Sequence, residues 1–348
     1  MLKKLLGMMI AGIITIGMLT GCNTGGGTKE DSTGKSGGGN AEFSLTGGIN
    51  LDTDHPYYKG MVKFAELMEE KSNGRITMKV YPSAQLGNER DVVEALQMGS
   101  VDVTLISAAP LSNFTDDFQV FDFPYIFSGR EHAYKVLDSE LGKTMLDNLE
   151  NYDLIGLEFL ENGFYWISNN KGIEHPSDMK GVKIRSLENQ MQVDAYNQTG
   201  ANGIAMAFSE VFTALQNGTL DATGLTPSVI GSQKMYTVQN TVTATDHFYA
   251  AAPLLMSKKT YDSMPEDLQK VVREAAQEAR DYQREESQKY DQAKIDEMKD
   301  AGTKIVEVDK SEWEEAMVPA IYDKYVGKGK LIDPEIYQQI KDMDPEAK

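Results

Sequence analysis

An α/β protein of two lobes with a ligand cleft between them is what the sequence predicts, and three observations carry that expectation. Strand and helix patterns alternate with short connections, one helix–strand junction occurs twice, and a long charged helix opens the C-terminal third.

The alternation begins at Phe43, where an opening strand runs to Leu51. His55-Pro56 then leads into an amphipathic helix in which Met61, Ala65 and Met68 recur at helical spacing, stopped by Asn73-Gly74. Ile76, Met78 and Val80 alternate as in a half-buried strand, closed by Tyr81-Pro82. A helix over 89–98 follows, with Asn88 as its cap and Gly99 as its terminator. Val101 to Ile106 is a compact apolar strand, and the strand–helix–strand order argues for a largely parallel sheet.

The junction ALQMGSVDVT, residues 95–104, has a near copy in ALQNGTLDAT, residues 214–223. In both, a helix ends at a glycine and a strand starts within a few residues, as expected for equivalent units in two lobes. Ligands of open α/β sheets sit at the carboxyl ends of strands. Ser107 and Ala108 in one lobe, and Gly224, Leu225 and Thr226 in the other, therefore become cleft candidates. Farther on, Ser263 and Glu266 fit a capping box with Pro265 in the first turn. The helical stripe then runs to about Met298 through Leu268, Val272, Ala275, Ala279, Tyr282, Tyr290 and Ala293. A coiled-coil partner helix is one reading; a solvated helix packing one face on both lobes is the commoner one.

Two lysines, an uncharged run from Leu5 to Leu19 and the sequence Leu19-Thr20-Gly21-Cys22 mark residues 1–21 as a lipoprotein signal peptide. The run is shorter than the roughly 20 residues of a spanning helix. Cys22, the only cysteine, is the lipidation candidate, so the core must hold without disulfides. The Gly/Ser/Thr-rich stretch 22–41 is a flexible tether. The expected location is therefore extracytoplasmic, with the protein lipid-anchored to the outer membrane face or periplasmic. A net charge of −19 without a basic stripe excludes a nucleic-acid partner. It also means that an anionic ligand needs a local positive device.

Catalysis finds little in the sequence. His55, His132, His175 and His247 lie at no metal-ligand spacing, and no phosphate loop, nucleophile elbow or zinc helix is present. No catalytic residue, cofactor or metal is expected, and the protein is read as no enzyme. A carboxylate site wants arginine, whose planar fork gives two parallel hydrogen bonds. Of seven arginines, Arg185 alone stands at the carboxyl end of a short strand, Gly181-Val182-Lys183-Ile184. A structural ion pair with Glu188 is an equal reading of that pattern.

Three motifs carry a resemblance. Tyr81-Pro82-Ser83-Ala84-Gln85-Leu86-Gly87-Asn88-Glu89-Arg90, Asp178 to Arg185, and Met206 to Phe212 with Asp221 resemble, in order, the signatures of solute receptors of tripartite ATP-independent periplasmic (TRAP) transporters. The resemblance implies a periplasmic-binding-protein-like fold with crossing hinge strands and a long C-terminal helix spanning both lobes. Lobe I would take 42–162 with 251–290, and lobe II 163–250 with 291–348. It further implies that the lobes close on a small carboxylate and deliver it to the TRAP membrane permease subunits. Arg185 falls on the family's carboxylate-binding arginine, and Phe208 on a pocket aromatic. A second arginine common after Asn-Gly-Phe is replaced here by Tyr165 and Trp166, and Gly224-Leu225 replaces a usual polar anchor. The ligand candidates are thus Arg185, Phe208, Tyr165, Ser107, Leu225, His55, Trp166 and Gly224, with an apolar or aromatic wall opposite Arg185. A receptor for an ATP-driven importer, or less readily a surface-anchored enzyme, is the alternative.

Overall fold

The computed structural model describes residues 41–345, so the expected signal peptide, Cys22 and nearly all of the expected tether lie outside the described residues. The strands in chain order are β1 (Phe43–Gly48), β2 (Ile76–Tyr81), β3 (Val103–Leu105), β4 (Leu154–Phe164), β5 (Trp166–Asn169) and β6 (Lys183–Ser186). They continue as β7 (Asn202–Ala205), β8 (Ala222–Leu225), β9 (Thr241–Ala244), β10 (Tyr249–Ser257) and β11 (Lys304–Glu307). The helices begin with α1 (Pro56–Lys71), α2 (Glu89–Met98), α3 (Arg130–Leu137), α4 (Glu140–Asn148), α5 (Gln190–Gln198) and α6 (Phe208–Gln216). The last are α7 (Pro227–Ser232), α8 (Lys258–Ser263), α9 (Glu266–Asp300), α10 (Lys310–Tyr325) and α11 (Pro334–Asp342).

Two mixed sheets result, ordered β2-β1-β3-β10-β4 and β11-β9-β5-β8-β6-β7. Each has a parallel part, as the sequence predicts: β1 pairs with β2 and β3, and β6 pairs with β7 and β8. The antiparallel part comes from the crossing strands. β4 runs into β5 across one residue, Tyr165, and β9 returns to β10 across 245–248, so each crossing chain serves both sheets. The two lobes of the prediction are these two sheets with their helices.

The repeated junction shows its purpose in the hydrogen bonds. Gly99 and Gly218 both take left-handed φ, 73° and 75°, which turns the chain from helix to strand without a Cβ clash. The repeated aspartate then pairs with the neighbouring parallel strand. Asp102 accepts from the Thr46 N–H at 2.8 Å in the first lobe, and Asp221 accepts from the Lys183 N–H at 2.9 Å in the second. Each aspartate N–H donates back to the same residue's carbonyl.

The predicted cap of α2 forms: Asn88 is its N-cap, and the Asp91 carboxylate accepts the Asn88 N–H at 2.9 Å. The capping box at Ser263 does not form. Extended Pro265 occupies the N-cap of α9, and Ser263 instead closes α8 with its hydroxyl on the Thr260 carbonyl. The long helix packs on α1 and β4 of the first lobe and on α7 of the second. Its buried face is apolar from Leu268 to Ala279, then becomes Gln283, Arg284, Ser287 and Asp291. Tyr282, placed on that stripe by the periodicity, is exposed. The polar stretch serves the crossing strand. The Gln283 amide accepts from Glu161 N–H at 3.0 Å and donates to the Glu161 carbonyl at 2.7 Å, where the β4–β10 register shifts. Sheet pairing lost at the irregularity is thus restored by a side chain.

Candidate functional site

Arg185 lies on β6; Val182, just before the strand, and Ile184 on it face the second-lobe core, and alternation sends the Arg185 side chain to the other face, toward the first lobe. The residue is 0 % exposed. Its Nε donates to the Met206 carbonyl at 3.0 Å, which fixes the fork, while Nη1 and Nη2 find no hydrogen-bond partner among the described residues. Burial pulls its pKa down, opposed by Tyr165 and Glu89. The expected alternative, an ion pair with Glu188, is not formed: Glu188 is a more distant influence, and its carbonyl accepts from Asn113. Two unpaired donors on a buried cation cost several kcal/mol that a bound anion would recover.

Arg185 lines a cavity of about 20 Å³ between the lobes. The first lobe contributes Asn50 and Leu51 after β1, Glu89 at the start of α2, and Ser107 after β3. The second contributes Arg185, Leu187, Phe208, Leu225 and Val229, while Asn162 and Tyr165 come from the crossing chain. These positions cluster at strand carboxyl ends, as the topology rule requires. Glu89 is buried, and one of its oxygens accepts the Ser107 N–H at 2.8 Å. Burial raises its pKa, against the Ser107 bonds and the Arg185 charge. The phenols of Tyr57 and Tyr165 stand beside Ser107, both raised by burial. Asn162 is held by Thr226 and Ser228, whose hydroxyls reach its Oδ1 at 3.1 and 3.3 Å.

Of the residues singled out in the sequence, Arg185, Phe208, Tyr165, Ser107 and Leu225 meet at this cavity. His55, Trp166 and Gly224 do not line it. His55 is the N-cap of α1, its Nδ1 accepting the Tyr57 N–H at 3.2 Å, and burial holds its pKa down at about 3. Trp166 and Tyr165 are neighbours on an extended chain, so they face opposite ways. The Trp166 indole bonds Asp246 at 2.6 Å in a separate cavity of about 180 Å³ with Arg130 and Asp291. Gly224 makes room instead: a Cβ there would sit 1.9 Å from the Tyr196 hydroxyl, which bonds His247 Nε2 at 2.8 Å. Asn50, Glu89 and Asn162 were missed, and they make the wall opposite Arg185 more polar than expected. Glu89 and Asn162 did stand inside quoted motifs, as a helix-start acid and in Asn-Gly-Phe.

Among the described residues no cluster of His, Cys, Asp and Glu could hold a metal ion, and no helix is long and apolar enough to cross a membrane. Two α/β lobes joined by crossing strands, closing over a buried cation with free donors, define a receptor that binds an anion by enclosing it. Residues 47–328 match the model of the bacterial extracellular solute-binding protein, family 7, and the chain belongs to that family. It is 36 % identical over 271 residues to the C4-dicarboxylate-binding periplasmic protein DctP of Rhodobacter capsulatus, covering 76 % of this chain and 81 % of the relative. The sugar acid binding protein DctPAm of Advenella mimigardefordensis, solved with galactonate, superposes with a TM-score of 0.82 at 32 % identity, over 86 % of this chain and 97 % of that one. A TRAP periplasmic solute binding protein from Polaromonas, bound to D-erythronate, gives 0.83 at 33 % identity, over 88 % and 100 %. The protein is an extracytoplasmic solute-binding protein of the TRAP class for a small organic acid. The ATP-driven importer reading is thereby set aside.

Proposed function

We propose that the cleft takes a small hydroxylated monocarboxylate of the sugar-acid type, held by its carboxylate on Nη1 and Nη2 of Arg185. The observation that carries this is the buried guanidinium with two free donors. Glu89, Asn50 and Asn162 supply oxygens across the cavity that accept from ligand hydroxyls, whereas a second carboxylate would meet the buried Glu89 acid. Phe208, Leu225 and Val229 cover the carbon chain. A cavity of about 20 Å³ holds little more than one water, so a sugar acid enters only when the lobes part. Hinge motion at Tyr165 and at 245–248, with α9 bridging the lobes 42–162 plus 251–290 and 163–250 plus 291–348, fits that requirement. The receptor is tethered by a lipid on Cys22, hands its cargo to the TRAP membrane permease subunits, and turns nothing over.

A dicarboxylate is the second reading, favoured by the name of the Rhodobacter relative. Thermal shifts with galactonate, D-erythronate and succinate decide between them. A ligand at a hundredfold excess over its Kd stabilises by about 2.7 kcal/mol. Galactonate or erythronate should shift the protein and succinate should not; the reverse order establishes the dicarboxylate, and turnover of any of the three refutes the receptor reading.

A further inference from the structure

Asp122 ends a turn of 3-10 helix, Gln119–Asp122, that Phe118 and Phe121 pin against Phe159 of β4, so it belongs to the first lobe. Its carboxylate is buried, and both of its hydrogen bonds come from the second lobe. Asn189 donates its amide at 2.9 Å and Gln192 at 2.7 Å. The two amides are themselves oriented: Asn189 Oδ1 caps α5 on the Gln192 N–H at 3.1 Å, and Gln192 Oε1 accepts from Ser186 Oγ at 3.2 Å. Ser186 adjoins Arg185, so a single segment carries the carboxylate anchor and these donors. A companion bridge runs from Asn113 to the Glu188 carbonyl at 3.2 Å.

We propose that Asp122 is an inter-lobe latch, closing on Asn189 and Gln192 only when the lobes close and so setting how tightly the acid is held. None of these atoms lines the cavity, so Asp122 acts as a positioning residue through the closed geometry. When the lobes part, the Asn189 and Gln192 amide nitrogens lose their acceptor and the carboxylate returns to water. Closing strips that water away, and no cation pairs with Asp122 among the described residues. The elements packed against its turn are β4, β10, the turn Ala109–Asn113 and α5. Their titratable groups are engaged elsewhere: Glu158 with Arg280, Glu161 with Arg130 and Tyr249, Asp194 with Lys324 and Tyr325, and Tyr196 with His247. Tyr165, from the crossing chain, is a phenol that feels its charge. The first turn of α5 favours the anion, yet burial dominates and pushes Asp122 up to about 7. The closed protein therefore binds a proton that the open protein, with an ordinary aspartate, has released at the same pH.

The sign follows: affinity is flat above pH 7 and rises as pH falls from 7 toward 5, by up to about tenfold per unit. This rests on the receptor reading for its ligand arm, with galactonate as the probe. Calorimetry in buffers of different ionisation enthalpy should count close to one proton taken up per galactonate at pH 5.5 in the wild type. D122N should remove that uptake and most of the pH slope. Q192A, which keeps the acid and Arg185, should weaken binding about tenfold at pH 6. Equal proton uptake in D122N and wild type, or unchanged affinity in Q192A, overturns the latch. Small-angle scattering of the ligand-free protein tests it without any ligand. The wild type should be more compact at pH 5 than at pH 8 and D122N should not; equal compactness of the wild type at both also overturns it. Failure of the wild type to bind any acid, with the scattering change intact, counts against the ligand class alone.

Discussion

At the scale of single residues the cavity is a balance between one cation and the oxygens facing it. Replacing Arg185 with methionine removes a buried charge that no protein group fully pairs. The variant should lose galactonate affinity by about 100-fold or more, while its ligand-free thermal midpoint stays at or above the wild-type value. Titration calorimetry and a thermal scan read the two effects separately. E89Q keeps an oxygen for the Ser107 N–H but removes the acid across from Arg185. The ratio of succinate to galactonate affinity should rise about tenfold, because a second carboxylate no longer meets a like group. Gly224→Ala is a packing test outside the cavity. Its Cβ would collide with the Tyr196 hydroxyl, and urea unfolding should show a loss of about 1–3 kcal/mol.

Among elements, the twin helix–strand junctions do equal work in the two lobes. D221A removes an acceptor for a backbone N–H of β6 and should cost about 1–3 kcal/mol in urea unfolding; D102A should match it in β1 and additionally free Thr260. These junctions were legible because glycine terminators and strand periodicity are local signals, and so was Arg185 at the end of its strand. The other half of the site was not. Glu89 looks in sequence like a helix-start acid, and only the folded chain brings it to the Ser107 N–H eighteen positions on. Asn50 fell inside the strand expected to run to Leu51, whereas β1 ends at Gly48 and leaves it in the loop beyond. Trp166 was drawn in beside Tyr165 by adjacency, although an extended chain points neighbours to opposite faces. His55 was a ligand candidate, whereas the fold uses it as a helix cap. The polar half of α9 breaks an apolar stripe for a reason found only in β4, at the irregular pairing that Gln283 repairs.

For the whole molecule, buried titratable groups pull stability in opposite directions. Burial holds His55 and His247 down at about 3, so their unfolded forms bind more protons and stability falls as pH drops below 6.5. Asp122 at about 7 and Asp291 at about 6 lie above the ordinary aspartate value, so their folded forms bind more protons and stability rises over the same fall. The two sets oppose each other, so D122N, which removes one of the raised acids, should lose more of its thermal midpoint between pH 7 and pH 5 than the wild type does, as thermal scans at the two pH values would read. The crossing strands carry one more consequence, for the order in which the chain matures. β10 must insert between β3 and β4 before the first sheet is whole, and the second sheet awaits β11 at 304–307. A chain emerging from its N-terminus thus cannot complete either lobe until most of its length is out.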